Sequence, residues 1–406
     1  MEINNKMLTR FGVITLFILL PTVSLPIIFT EIYNKKKYPL FLLAIYMGLL
    51  SMYYFPWGDQ YRYMNYLTDY KYLHFKDVFD FSKVLIFRDL NIINILLFYA
   101  AKCNFTIELF RFSLVTYSYV LILSIFRNFD SDNKLSLKSR FLCFLILFLA
   151  VPFYHICYGY RTGIAICFFV YGIYKLGKGE YKGYAYLIIA AFTHYFFVLE
   201  ILIYLVANNL RRYISIKTIA VLVVFLLLLT LLIINILYGK NSFIDIIIDL
   251  YIKGEHGLES SKSLKEVIST MLINGFVVAI LFVIFLLGNY KGKFENLLYL
   301  NLCILLISIP FPTINERILA LSVLLLTVYF LSNKLTRLIS KVIILLPFMF
   351  ISLVYPYWKH RDIYALTQII EIVYKPLPLI LQHNVPENEV NKYIDYKGEY
   401  AKSKSE

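Results

Sequence analysis

Long apolar runs, separated by short polar segments, follow one another along most of the chain. A helix needs about 17 to 25 mostly apolar residues to cross the hydrocarbon core of a membrane. Runs near this length lie at 11–30, 38–56, 106–126, 141–158, 217–238, 267–288, 297–311, 317–332 and 341–357, with a shorter one at 162–176. The pattern predicts an all-α, polytopic integral membrane protein with about 10–12 transmembrane helices. A weaker run at 91–101 predicts an interfacial or re-entrant helix.

Composition supports the membrane prediction and excludes two other classes of protein. Hydrophobic residues make up 60% of the 406 residues and charged residues only 16%, whereas soluble domains are about 45–50% apolar. The net charge is +14, but lysines and arginines occur in short clusters and form no continuous face for nucleic acid. The five cysteines have no CxxC spacing, so neither a disulfide framework nor a metal site is expected.

Positive charge predicts the orientation, because short cytoplasmic loops collect Lys and Arg. Basic clusters separate the apolar runs at 31–38, 127–140, 175–183, 211–217, 291–293 and 334–341. Two longer polar loops, 57–90 and 239–266, have nearly balanced charge and are predicted to lie outside. We expect a transmembrane domain over 1–357, followed by an interfacial helix and a charged tail over 358–406.

The stretch 184–207 presents a parity problem, since basic clusters of the cytoplasmic type lie on both sides of it. One crossing cannot return to the same side of a membrane. We predict a re-entrant helical hairpin that turns at Thr193 and His194, inside a protein-lined cavity where irregular backbone is tolerated. A single helix with one exceptional basic cluster is the alternative.

Ionisable side chains at membrane depth are expensive unless they are paired or hydrated, so each one is a functional candidate. Arg161 begins an apolar run, His194 lies within one and Arg317 opens another. The predicted topology places all three in the outer half of the membrane. Alternatively, the two arginines extend to the lipid headgroups, and His194 bonds to a backbone carbonyl. Glu200 is predicted to be structural.

The outer loop 57–90 begins with the segment WGDQYRYMNYL. A helical turn there would place Asp59, Arg62, Tyr63 and Tyr66 on roughly one face. Aromatic rings and polar groups on such a face suit sugar binding. An aromatic belt at the membrane interface and an ordinary ion pair between Asp59 and Arg62 are the alternatives.

Three segments carry a resemblance to a known family: GDQYRYMNY in the outer loop, YGYRTGIAICFFVYGIYKLGKGEYKGYAYLIIAAFTHYFF in the middle, and NERIL near the end. With them the chain resembles the EpsG branch of the Wzy-type exopolysaccharide and O-antigen polymerases. Two positions depart from the family pattern: Thr162 follows Arg161 where glutamine is expected, and Tyr195 follows His194 where small or polar residues are usual. The resemblance implies a GT-C-like membrane fold.

The resemblance also implies a metal-independent glycosyltransferase of the bacterial cytoplasmic membrane that needs no cofactor. Such a polymerase transfers a growing glycan from undecaprenyl diphosphate to a hydroxyl of an incoming lipid-linked unit, on the outer face of the membrane. The product is an exopolysaccharide, a capsule or an O-antigen. The implied partners are the lipid-linked oligosaccharide, membrane lipids, and a flippase and chain-length regulator of the same pathway, with no nucleic acid.

The chemistry of this implied reaction assigns roles to the candidate residues. The departing diphosphate gathers negative charge, which preorganised arginines stabilise. A general base assists the accepting hydroxyl, and both a histidine and a carboxylate remain open for that role. The expected catalytic residues are His194, Asp59 and Arg161, and the expected diphosphate-binding and substrate-binding residues are Arg161, Arg317, Arg62, Tyr63 and Tyr66.

Two other functions use similar sequence features. A membrane-bound O-acyltransferase also places a catalytic histidine among apolar helices, but its acyl donor usually enters from the cytoplasm. A flippase or other transporter of lipid-linked sugars is expected to have internal symmetry and charged residues along a through-path. The sequence shows neither feature.

Overall fold

The computed structural model describes residues 2–79, 91–132, 136–209, 295–308, 312–332 and 368–394. The chain forms two compact units, Met1–Phe197 with Ser352–Glu406, and Val198–Ile351. The described residues form helices and their connections, with no β-strand among them. The all-α prediction is thereby confirmed, whereas the number of crossings, the GT-C-like arrangement and the domain boundary after 357 stay predictions.

Most of the described helices belong to the first unit. In chain order, the described helices are α1 (Glu2–Leu19), α2 (Leu25–Tyr33), α3 (Tyr38–Met52), α4 (Asp59–Tyr70), α5 (Phe75–Val78), α6 (Ile92–Lys102), α7 (Ile107–Asp132), α8 (Leu137–Ala150), α9 (Phe153–Tyr158), α10 (Tyr160–Gly177), α11 (Lys182–Thr193), α12 (Phe196–Asn209), α13 (Glu295–Ile307), α14 (Pro312–Ser332), α15 (Glu371–Tyr374), α16 (Leu377–Ile380) and α17 (Glu387–Tyr393). Most of α12, together with α13 and α14, belongs to the second unit.

Two helical stretches in the described ranges are long and apolar enough to cross a membrane, Ile107–Asn128 in α7 and Leu137–Tyr158 over α8 and α9. They coincide with the predicted spans at 106–126 and 141–158. Shorter apolar helices occupy Arg10–Leu19, Tyr38–Met52, Ile92–Lys102, Phe196–Asn209 and Glu295–Ile307. The predicted spans at 217–238, 267–288 and 341–357 and the outer loop 239–266 lie outside the described residues.

The predicted span 11–30 is divided into two helices. The chain leaves α1 and enters α2 around Pro21 and Pro26, because proline lacks the N–H that a continuous helix needs. The Arg10 guanidinium lies 5.1 Å from the centre of the Tyr38 ring, so the first half of α1 and the residues after α2 meet. The two helices therefore form a hairpin, and the prediction of one continuous helix here is wrong.

Helices α3 and α7 form a closely packed pair, because Gly48 allows their backbones to approach. A Cβ added at Gly48 would lie 2.9 Å from the Phe112 carbonyl oxygen and 2.1 Å from Thr116 Oγ1. Small residues permit such contacts between membrane helices. Since α3 leads directly into the loop that begins at Trp57, this pair supports the start of α4.

Candidate functional site

Gly58 turns the chain from Trp57 into the first turn of α4. Its φ of 61° and ψ of −125° are disfavoured for residues with a side chain, and glycine adopts such angles at little cost. Asp59 is then the first residue of the helix, where a negative charge is favourable. The structure thus contains the helical turn on which a shared face of Asp59, Arg62, Tyr63 and Tyr66 would depend.

Asp59 and Arg62 form an ion pair across the first turn of α4. The Arg62 side chain is 47% exposed and the Asp59 side chain is 23% exposed. Surface pairs of this kind contribute about 0–1 kcal/mol. A charged group of a ligand can therefore replace either partner at little cost.

A buried polar network holds the other side of α4. Arg111 of α7 is fully buried and donates hydrogen bonds to Gln60 Oε1 and, at 3.1 Å, to the Met52 carbonyl. The Gln60 amide donates in turn to the Cys157 carbonyl. Helices α3, α4, α7 and α9 meet at these bonds, so the position of α4 is defined. Sequence reasoning missed Arg111, although an arginine inside the apolar run 106–126 was a signal that pointed to it.

Tyr63 and Tyr66 have different environments on α4. Tyr63 is 4% exposed, and its ring stacks on Tyr160 of α10 with the ring centroids 5.3 Å apart. Burial, and then the Asp59 carboxylate, raise the pKa of Tyr63 above its ordinary value near 10, so its hydroxyl stays protonated. Tyr66 is 39% exposed and stacks on Tyr70 at 5.5 Å. Tyr66 therefore presents ring surface to the outside, whereas Tyr63 belongs to the packing between α4 and α10.

Arg161, in the first turn of α10, lies next to this part of α4. Its guanidinium interacts electrostatically with Tyr63, Asp59 and Tyr195. Three segments that are far apart in the sequence are thereby brought together: the outer loop, the start of α10 and the connection after α11. Arg161 is therefore within electrostatic range of Asp59, and the common site stays a prediction.

The helical stretch 184–207 is broken at His194. Helix α11 ends at Thr193, His194 has extended backbone angles of φ −150° and ψ 118°, and α12 begins at Phe196. The predicted turn is present. Because most of α12 belongs to the second unit, the return of the chain as a re-entrant hairpin stays a prediction.

His194 is buried, and its Nδ1 accepts a hydrogen bond from the Phe196 N–H at 3.2 Å. In a neutral imidazole, an accepting Nδ1 leaves the proton on Nε2. His194 therefore carries an N–H donor at its other ring nitrogen, rather than the lone pair that a general base needs. The Tyr195 ring stacks on this imidazole at 5.0 Å and is 52% exposed. Tyr195 is thus a second exposed aromatic residue near Arg161.

Arg161 and His194 lie at the same end of the α10–α11 pair. The two helices are antiparallel and touch where a Cβ added at Gly172 would lie 2.9 Å from the Gly183 carbonyl oxygen. Arg161 lies eleven residues before Gly172, and His194 lies eleven residues after Gly183. At a rise of about 1.5 Å per residue, the two residues lie at similar distances from the Gly172–Gly183 contact, toward the same end of the helix pair. The geometry thus supports the same position along the axes of α10 and α11 for the two residues.

Arg317 and Glu200 belong to the second unit. Arg317 lies near the start of α14, where the Asn315 amide donates hydrogen bonds to the Leu305 carbonyl and to Ser308 Oγ, both at 3.0 Å. The nearness of Arg317 to the residues of the first unit stays a prediction. Glu200 is fully buried. In the described ranges, no group of three or more His, Cys, Asp or Glu side chains is placed to hold a metal ion.

The family model described as the EpsG family matches residues 56–369. This range is well over half of the chain, and it contains every predicted site residue from Asp59 to Arg317. No curated protein and no solved structure matches the chain. The resemblance found in the sequence is confirmed by the family match, which together with the apolar helices identifies a membrane protein. The chain belongs to the EpsG family of polysaccharide polymerases.

Proposed function

We propose that the chain is a multi-pass enzyme of the bacterial cytoplasmic membrane that joins undecaprenyl-diphosphate-linked repeat units on the outer face, without a metal. One observation carries the proposal: Arg161 interacts electrostatically with the α4 residues Asp59 and Tyr63 and with Tyr195 at the break after α11. A cation, a carboxylate, a histidine and exposed aromatic rings thereby share one end of the first unit. Such a set suits a substrate that combines a diphosphate with sugars.

The arginines would bind the diphosphate of the donor. As the glycosidic bond breaks, negative charge collects on the diphosphate, and guanidinium groups already in position stabilise it. Arg161 is held by its neighbours, whereas Arg62 is half-exposed and paired with Asp59 across the first turn. Arg62 can exchange Asp59 for a phosphate oxygen at little cost, because the exposed pair is weak. Arg317 is the third predicted ligand of the diphosphate.

The exchange of Arg62 would release Asp59 to act as the general base. In the reaction, the acceptor hydroxyl oxygen bonds to the anomeric carbon of the donor glycan while the bond from that carbon to the diphosphate oxygen breaks. The hydroxyl proton passes to the Asp59 carboxylate, and the electron pair of the broken bond leaves with the diphosphate. Of the two bases left open by the sequence, Asp59 is favoured because the Nδ1 contact of His194 leaves a donor at Nε2.

His194 would then exchange its present contacts and donate its Nε2 hydrogen to a substrate oxygen near Arg161. A donor aimed at an oxygen that gains charge in the transition state stabilises that state more than the ground state. The exposed rings of Tyr66 and Tyr195 would contact the sugars. Tyr63 supports Arg161 rather than the sugar, because its ring is already stacked on Tyr160.

The proposal is tested by polymer length in cells that carry single substitutions. Asp59→Asn and Arg161→Gln are expected to abolish long polymer while the protein remains in the membrane at normal abundance. Asp69→Asn is a matched control, because Asp69 is exposed on the same helix and outside the site. Long polymer in both site variants would contradict the proposed site.

The location of the unfinished substrate separates a polymerase from a transporter. In the Asp59→Asn variant, single lipid-linked units are expected on the outer leaflet, where a sugar-modifying reagent added to intact cells can reach them. Accumulation of these units only inside would indicate a flippase instead. Normal amounts of polymer lacking acyl groups would indicate an O-acyltransferase.

A further inference from the structure

The residues from Glu371 to Ile394, here called the C-terminal segment, follow the end of the family match at residue 369. They form the short helices α15, α16 and α17. The segment packs back onto the loop that carries Asp59 and Arg62. Its contacts lie on both sides of these two residues in the sequence.

An apolar cluster joins α17 to the start of α4. Val390 and Ile394 are almost completely buried together with Phe55. The partly buried side chains around them are Trp57, Tyr61, Met64, Val385 and Tyr393. Because this set includes Trp57 and Tyr61, which lie two residues before and two residues after Asp59, the cluster limits the movement of the first turn of α4.

Polar contacts continue this interface. The Tyr61 hydroxyl donates a hydrogen bond to Asn391 Oδ1 at 3.1 Å. The Val385 N–H donates to the carboxylate of Glu108 at 3.2 Å, and Glu108 is fully buried on α7. Glu108 precedes Arg111, which holds Gln60 of α4, by one helical turn. One turn of α7 thus anchors both α4 and the C-terminal segment.

In the described part of the chain, the C-terminal segment and the loop enclose a small cavity. The cavity between them, lined by Tyr53, Phe55, Gln368, His383, Asn384, Val385 and Glu389, has a volume of about 30 Å³. A cavity needs about 10–15 Å³ of this kind of volume to hold one water molecule, so this cavity has room for water and not for a sugar ring. We therefore expect the segment to act on the reaction through α4.

We propose that the C-terminal segment lies on the outer side of the membrane and is a positioning element that holds Asp59 and Arg62 toward Arg161. Its placement outside rests on its contacts with the outer loop. Its role in catalysis rests on the proposed function of that loop. Asn391 is the positioning residue that gives the sharpest test, because its side chain makes one defined contact with α4.

The placement is tested without any measurement of activity. In a cysteine-free background, Tyr61→Cys with Asn391→Cys is expected to cross-link through a short bismaleimide, whereas Tyr61→Cys with Asn388→Cys is expected to cross-link less. Asn388→Cys alone should react with a membrane-impermeant maleimide in intact cells. Lys37→Cys, in a basic cluster, should react only after permeabilisation. Absence of the first cross-link, or labelling of Asn388→Cys only in opened cells, would overturn the placement.

The positioning role is tested by polymerisation kinetics in isolated membranes. Asn391→Ala removes the acceptor of the Tyr61 hydroxyl and is expected to lower kcat about fivefold, the effect of one ordinary hydrogen bond. Asn391→Asp retains an acceptor oxygen and is expected to restore kcat. Asn388→Ala, at an exposed position of the same helix, is the control. Equal kcat in wild type and Asn391→Ala, or no recovery in Asn391→Asp, would overturn the role.

The two tests separate this inference from the proposed function. If Asp59→Asn cells still make long polymer while the Tyr61 and Asn391 cysteines cross-link, the placement holds and the proposed catalytic site fails. If Asp59→Asn abolishes polymer and the cross-link is absent, the site holds and the placement fails.

Discussion

The rings of Tyr63 and Tyr160 stack with their centroids 5.3 Å apart and their planes 11° from parallel. This contact joins α4, which carries Asp59 and Arg62, to α10, which carries Arg161. Two segments of the proposed site that are about one hundred residues apart in the sequence thus have a rigid aromatic connection. Removal of this ring contact should therefore disturb the positions of α4 and α10 together.

Replacement of Tyr160 by alanine is expected to reduce both stability and polymer synthesis. Tyr160 is fully buried, and truncation of a buried aromatic residue costs roughly 3–5 kcal/mol. Tyr160→Phe keeps the ring and should behave like wild type, because the hydroxyl has no hydrogen-bond partner in the described part of the chain. Thermal unfolding in detergent and polymer length measure the difference. Equal behaviour of the two variants would show that the stack is unimportant.

The Tyr66→Ala variant is expected to have a higher KM for the lipid-linked unit, by about three- to tenfold, which corresponds to the loss of one aromatic contact. Tyr66→Phe should retain most of the affinity, since the ring face is preserved. Tyr72→Ala is a control, because Tyr72 is 84% exposed and lies beyond the end of α4. The idea fails if Tyr66→Ala leaves KM unchanged.

The His194→Ala variant should lower kcat about 100-fold, the usual effect of removing one donor from a charged transition state. His194→Gln places an amide N–H near the position of Nε2 and is expected to recover part of the rate. Glutamine cannot act as a base at neutral pH. Polymerisation rates of the two variants therefore separate the roles, and equal inactivity would favour the base instead of the donor.

The docking of the C-terminal segment is expected to weaken in acid because of His383. Burial lowers the pKa of His383, Arg111 and Lys375 act in the same direction, and Glu371 opposes them. A released His383 would titrate near its ordinary value of about 6.5, so the released segment binds a proton more readily than the docked one. The docked state has its full stability above about pH 6.5. That stability decreases as the pH falls through the lowered pKa of His383 in the docked segment.

Hydrogen exchange of amides in the C-terminal segment, corrected for intrinsic rates, measures this effect at about pH 7 and about pH 5.5. His383→Phe keeps an aromatic ring against Tyr53, on which His383 stacks at 4.2 Å, and removes the titration. Protection in the variant should therefore change little with pH. An identical loss of protection in wild type and variant would exclude His383 as the cause.

Local features of the site followed from the sequence. The spacing of Asp59 and Arg62 predicted a helical turn, and charge parity predicted a break at His194. Both depend on short-range rules of backbone geometry and on the side preference of basic residues. The structure contains the helical turn and the break, whereas the return of the chain after the break and the nearness of Arg317 stay predictions.

Tertiary contacts did not follow from the sequence. Hydropathy measures the length of an apolar run but does not tell which side of a helix meets which neighbour. The bond from Arg111 to Gln60 and the packing of Val390 on Phe55 connect residues that are far apart in the chain. The preference between the two bases that the sequence left open also depends on tertiary geometry, since the backbone contact at His194 Nδ1 depends on the geometry of the break.

The hairpin of α1 and α2 returns to the side from which it starts, because Arg10 meets Tyr38 at its open end. We therefore predict that the hairpin adds no passage through the bilayer and that α3 makes the first one. A reporter enzyme fused ahead of Met1 and a reporter inserted after Asn34 should therefore sense the same compartment. With the basic cluster 31–38 in the cytoplasm, this prediction places Met1 in the cytoplasm too, whereas one continuous crossing over 11–30 would place Met1 on the opposite side of the membrane.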